Sequence, residues 1–279
     1  MEEKPREVVV EYPSEDFSQV INDVTGAYLL GYDVIRIEGK KVISREDRSK
    51  PKSMMGRLVG LEIMDEDAKR ITVQFLLESS AVVPEKIVRR MSGLLEGMLR
   101  DTAEAALKWD TKLLTLVGER DDEVDRLYFL LVRVTRAAIL RTEVAEGYGL
   151  SPVDVLDYRV LASFLESVGD AVSELSENLR DFRGPKRLSS EFAACVTKLV
   201  EMNDLATQAF ISRRAGRPRS INMKVNALAE EISGRLTAMA RLPSGEGTAA
   251  TEILWSLERV SKLLVDVSDL AVITQPVAQ

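Results

Sequence analysis

Residues 84–117 read PEKIVRRMSGLLEGMLRDTAEAALKWDTKLLTLV. Val88, Met91, Leu95, Met98, Thr102, Ala105, Trp109, Leu113 and Leu116 recur there at three- and four-residue steps, the period that lines one face of an α-helix. The stretch therefore predicts a single amphipathic helix of over thirty residues, long enough to belong to a bundle. The period continues beyond it. A second helix is expected through Val124, Leu127, Leu131, Val134 and Ala138. After Gly147, Gly149 and Pro152 a third is expected along Tyr158, Leu161, Leu165, Val168, Val172, Leu175, Leu179 and Phe182, closed by Gly184 and Pro185.

The three-helix pattern then recurs. Phe192, Val196, Leu199, Asn203, Ala206 and Phe210 mark a fourth helix. Ile221, Val225, Leu228, Ile232 and Met239 mark a fifth, and Ile253, Leu257, Val260, Leu264, Val267 and Ala271 a sixth. Leu165, Glu166, Val168 and Val172 align with Leu257, Glu258, Val260 and Leu264, and Val124-Asp125 with Val225-Asn226, as an internal duplication would produce. The expectation is a mainly α chain of two repeated three-helix bundles, residues 84–183 and 189–274, within one domain over 83–279.

Residues 1–82 read differently and are expected to form a small α/β domain. Val8–Tyr12 and Asp33–Ile37 are strand candidates on either side of a helix that Ser14 can cap and Gly31 stops. A short helix is expected over Arg45–Arg57, confined or split by Pro51. Leu58–Met64 and Arg70–Leu77 read as a hairpin about the polar turn 65–69.

Composition removes several functions. The chain has no histidine and a single cysteine, Cys195, on an apolar helical stripe. Imidazole-based catalysis, His-ligated zinc, internal disulfides and multi-cysteine metal sites are excluded together. Cys195 is expected to be a small buried hydrophobe. The net charge of −7 argues against broad attraction to nucleic acid or anionic membrane. With no long uncharged apolar run, membrane insertion is not expected and the protein is expected to be cytoplasmic. No Gly-rich phosphate loop follows a strand, and no nucleophile is evident, so an enzyme is not expected.

Two acidic pairs stand out. Asp121 and Asp125 lie four apart at the expected start of the second helix, as do Glu166 and Asp170 in the middle of the third, so each pair shares a helical face. Were the helices adjacent, four carboxylates could converge on a cation with oxygen ligands, such as Mg²⁺, Mn²⁺, iron or zinc. The plainer alternatives are an acidic pair favouring a helix N-terminus and a solvated face. A second feature, SRRAGRPRS, sets Arg213, Arg214, Arg217 and Arg219 in a loop between the fourth and fifth helices. It reads either as a minor-groove hook or as a solvated turn.

DDEVDRLYFLL and LESVGDAVSEL resemble the acidic motifs of the PhoU-type phosphate-signalling regulators. The resemblance implies two repeated three-helix bundles, a metal at Asp121, Asp125, Glu166 and Asp170, and regulation of phosphate signalling or uptake through protein contacts. The implied partner is a phosphate transporter or sensor component, and a homodimer is allowed. The second repeat departs from the family pattern, offering Asn222, Asn226, Glu258 and Lys262, so its site is expected to be lost. AYLLGYDVIRI and GRLVGLEIMDE resemble the linker of archaeal proteins in which an AbrB-type DNA-binding hairpin precedes a PhoU-like domain, though that hairpin is not evident here. The rival readings are a transcription regulator contacting DNA, the weaker expectation for this chain alone, and a metal-dependent phosphohydrolase.

Overall fold

The computed structural model describes residues 5–12, 17–77, 82–182, 185–213, 218–241 and 247–272. Ser14, Arg214 and Arg217 lie outside these, so the expected cap and two of the four clustered arginines are not addressed. The chain divides into two compact units, Met1–Ile87 with Asp125–Arg159, and Val88–Val124 with Val160–Gln279.

The first unit contains β1 (Glu7–Tyr12), α1 (Phe17–Leu29), β2 (Val34–Gly39), α2 (Arg45–Met55), β3 (Leu61–Glu66) and β4 (Arg70–Phe75). The sheet order is β1-β2-β4-β3. β1 and β2 are parallel and joined through α1, while β2, β4 and β3 pair antiparallel. Alternation sorts the side chains: Ile35 opposite Val73 and Ile37 opposite Ile71 face α1 and are fully buried, whereas Arg36 opposite Thr72 faces away. Gly31 ends α1 as expected. Its φ of +79° allows Gly31 N–H to donate to the Tyr28 carbonyl and Tyr32 N–H to the Ala27 carbonyl, the paired closure of a left-handed helix cap. Pro51 does not split α2, which runs on to Met55.

The bundle helices are α3 (Pro84–Lys108), α4 (Thr111–Leu140), α6 (Pro152–Asp181), α7 (Lys186–Ile211), α8 (Pro218–Ala240) and α9 (Gly247–Asp269), with a short α5 (Thr142–Gly147) between α4 and α6. One expectation is corrected. The stripe from Val88 to Leu116 is not one helix but α3 plus the first turns of α4. The chain breaks at Trp109, whose φ is +56°, with Asp110 N–H donating to the Ala105 carbonyl. Asp110 then starts α4, its Oδ1 accepting the N–H groups of Lys112 and Leu113. A tryptophan tolerates this backbone because its ring is stacked on Phe182 at 5.7 Å, and Phe182 packs edge-on against Phe192. The short α5 was also not expected. α6 opens with Ser151 as cap: Asp154 N–H donates to Ser151 Oγ, and Ser151 N–H donates back to Asp154 Oδ2, with Pro152 at the first helical position.

Within the first unit the far half of α4 is fixed by Arg133. Its side chain is 5% exposed and donates to the carbonyls of Tyr28 (2.7 Å) and Tyr32 (2.8 Å) and to Asp33 (3.3 Å). Its guanidinium lies 3.9 Å above the Phe75 ring. Burial lowers the Arg133 pKa to about 10, with Tyr28 and Asp33 pulling the other way.

The second unit is helical among its described residues. In one trio, Leu95 of α3 and Val124 of α4 both reach Gly169 of α6. In the other, α7, α8 and α9 pack on one another. The trios meet where Asn203 of α7 donates to Ser92 of α3 and where Arg259 of α9 pairs with Glu174 of α6. Cys195 is buried in α7, and burial pushes its thiol up to about 11, as a small hydrophobe rather than a reactive thiol would show.

Candidate metal centre and its counterpart

Because α4 begins at Thr111, Asp121 and Asp125 lie in the third and fourth turns of that helix, not at its start. Favourable interaction with the helix N-terminus fades within the first turn, so it does not account for this pair. Gly169, between Glu166 and Asp170 on α6, is what lets α4 come close. A Cβ there would stand 2.7 Å from Asp121 Oδ1 and 3.2 Å from Val124 Cγ1. A glycine in mid-helix costs roughly 0.5–1 kcal/mol against alanine. That unfavourable choice was a signal of close approach visible in the sequence and overlooked there.

Three of the four expected residues come together. Asp125, Glu166 and Asp170 each offer a carboxylate oxygen, and these oxygens lie within 4.8 Å of one another. Asp121 sits one turn before Asp125 against Gly169 and is not among the three. Asp125 and Glu166 are half-buried and Asp170 is exposed. The guanidinium of Arg57 stands 3.9 Å from Asp125 Oδ2, but its side chain is 68% exposed and weakly held. At an effective dielectric of about 20, two carboxylates at that spacing repel by about 3 kcal/mol, less for the solvated Asp170. Oxygen ligands about 2.0–2.5 Å from one hard cation stand at most about 5 Å apart, so the three oxygens fit such an ion.

The counterpart group lies on α8 and α9 and is wired differently. Lys262 Nζ is 2.7 Å from Glu258 Oε1. Asn226 donates to Asn222 at 3.2 Å, and Asn222 donates to Ser268 and Asp269. Asn226, Glu258 and Lys262 line a cavity of roughly 430 Å³ together with Glu230 and Asp266, two acids that sequence reasoning missed. Burial raises the Asp266 carboxyl, and nearby Asp269 raises it further. Among the described residues, the Asp125 group alone brings three ligand-type atoms this close together. At the position of Gly169 the second repeat carries Ser261, whose hydroxyl lies 3.9 Å from Met202 Sδ.

Residues 88–179 match the PhoU domain. A crystal structure of PhoU from Pseudomonas aeruginosa aligns with a TM-score of 0.56 and 19% identity, covering 70% of this chain and 97% of that one. The phosphate transport system regulatory protein PhoU from Streptococcus pneumoniae aligns at 0.55 and 15% identity, covering 70% and 95%. At these identities the likeness is one of fold. No curated protein matches in sequence.

Proposed function

We propose that this chain, which carries a PhoU domain over residues 88–179, is a non-catalytic regulator of phosphate uptake or phosphate signalling. It acts through protein contacts, and a cation held by Asp125, Glu166 and Asp170 braces its first helix trio. The observation that carries the reading is a coincidence of position: the matched residues span α3, α4 and α6 and include all three clustered carboxylates. The Streptococcus neighbour, of the same fold, is named as a regulatory protein of a phosphate transport system, which supports the same assignment.

When bound, the ion supplies positive charge between two helices that otherwise present acid to acid. The chain's own residues do the rest. Gly169 keeps α4 and α6 close, and the α4 face shared by Asp121 and Asp125 turns Asp125 toward Glu166 and Asp170. The proposed partner is a protein of the phosphate transport or sensing apparatus. No helix among the described residues is long and apolar enough to cross a membrane. A DNA-contacting reading gains no support from Arg213, whose guanidinium lies 3.9 Å over the Phe210 ring and donates to the Phe210 carbonyl.

Deleting the gene in its source cells tests the role. Phosphate uptake under phosphate-replete growth should lose its normal control, and the wild-type chain but not Asp125→Asn with Asp170→Asn should restore it. Unaltered uptake in the deletion strain would overturn the proposal.

A further inference from the structure

The four-stranded sheet has two edges, and they are not alike. β3 carries Glu62, Asp65 and Glu66, and its pairing is interrupted by a bulge between Ile63 and Asp65, both devices that discourage a further strand. β1, EVVVEY, pairs with β2 in unbroken register over all six residues and has no proline, lysine or bulge. Arg6 turns its carbonyl toward β2, where it accepts Val34 N–H. In a parallel pair successive residues alternate direction, so Glu7, Val9 and Glu11 present their N–H and C=O groups on the open side.

Beside that edge runs a groove of roughly 650 Å³ whose other wall is α1. Its character changes along its length. Arg6 donates to the Leu30 carbonyl and Tyr12 packs on Phe17, so Leu30 and Gly26 lie toward the start of β1 and Gln19 toward its end. At the first end Leu30 is apolar and 44% exposed, and Gly26 leaves a notch where a Cβ would meet nothing within 4 Å; Val9, 51% exposed and the register partner of Arg36, adds an apolar side chain on the other face of the edge strand. Asp23 adds an acid on the α1 wall and Glu11 one on the other face of the edge strand, and neither makes an ion pair among the described residues. No lysine or arginine is among the described lining residues.

We infer that β1 and α1 form a docking groove for an extended segment of a partner protein, apolar at one end and carrying lysine or arginine at the other, which adds to the sheet as a fifth strand. Backbone bonding to Glu7, Val9 and Glu11 supplies the affinity, and the apolar-to-acidic grading supplies the selectivity. A second copy of this chain is the poorer occupant. Antiparallel pairing of β1 with itself about Val9 sets Glu7 against Glu11, and in-register parallel pairing sets each acid against itself, so both juxtapose like charges. The inference does not depend on the metal cluster and stands or falls separately from it.

Panning a random ten-residue peptide display library on the full chain tests it, followed by affinity measurement on the selected peptides. Val9→Pro removes an outward N–H without touching the β2 ladder, and Gly26→Phe fills the notch, where an added side chain starts into open space. Selected peptides should combine apolar or β-branched residues with lysine or arginine and should bind either variant at least tenfold more weakly. Circular dichroism confirms that each variant is folded, and Gly26→Phe keeps the test valid should the proline disturb the strand. Glu11→Lys with Asp23→Lys should shift selection to acidic peptides. Failure to enrich any peptide, equal binding by both folded variants, or a concentration-dependent dimer that Val9→Pro dissolves would overturn the inference.

Discussion

The two helix trios share a periodicity but divide the labour. α4 and α6 are 30 residues each, while their counterparts α8 and α9 are 23. The far half of α4 carries Arg133, where the equivalent place in α8 is Gly234, and Arg133 fixes the N-terminal sheet; the middle of the pair α4 and α6 carries the acid cluster around Gly169. In the second trio the corresponding face holds a lysine–glutamate pair, an asparagine pair and a serine in place of the glycine. The apolar stripe is common to both, since Leu165, Val168 and Val172 are as fully buried as Leu257, Val260 and Leu264. Burial of a stripe is thus enough to conserve the trio, whereas the polar residues on the remaining face are open to change and decide what each trio does.

The largest expected effect comes from the feature that the second trio lacks. Arg133→Ala should destabilise the chain by about 3–5 kcal/mol in urea unfolding, because it strands the buried carbonyls of Tyr28 and Tyr32 and leaves Asp33 without its cation. A loss below about 1 kcal/mol would mean that Arg133 is not what fixes α4 to the sheet. Gly169→Leu should cost about 1–3 kcal/mol by forcing α4 from α6, and should also remove any cation response, since Asp121 and Val124 occupy the space that the new side chain requires. Ser261→Ala, at the equivalent place in the second trio, should change stability by no more than about 1 kcal/mol.

A gain of function sharpens the comparison further. Asn226→Asp with Lys262→Asp removes the ammonium and adds two acids to a cavity that already holds Glu230, Glu258 and Asp266. Calorimetric titration of this double variant with Mn²⁺ should reveal one more binding site than the wild type has. An unchanged stoichiometry would show that acid content alone does not separate the trios, leaving the close helix approach at Gly169 as the deciding difference.

Much of this was legible in the sequence because it is local. Periodicity placed the buried stripes, Gly31 ended α1, and the four-residue spacing of the acids put Asp125, Glu166 and Asp170 on facing surfaces. What escaped was decided by tertiary contacts. The α3–α4 break falls at a tryptophan, neither glycine nor proline, and the apolar stripe happens to stay in phase across it; only the stacking of Trp109 on Phe182 explains why the chain can turn there. Ser151 and Asp154 were a legible cap that was passed over, and Glu230 and Asp266 joined the second cavity from positions outside the repeated motif.

The central claim, that the first trio holds a cation and the second does not, is tested most directly by the melting temperature with and without Mn²⁺ in metal-stripped protein. At a free cation concentration about 100-fold above Kd, the wild type should gain roughly 5–10 °C. Glu258→Gln should gain as much, and Asp125→Asn with Asp170→Asn should gain nothing. Equal shifts in all three proteins would contradict the account.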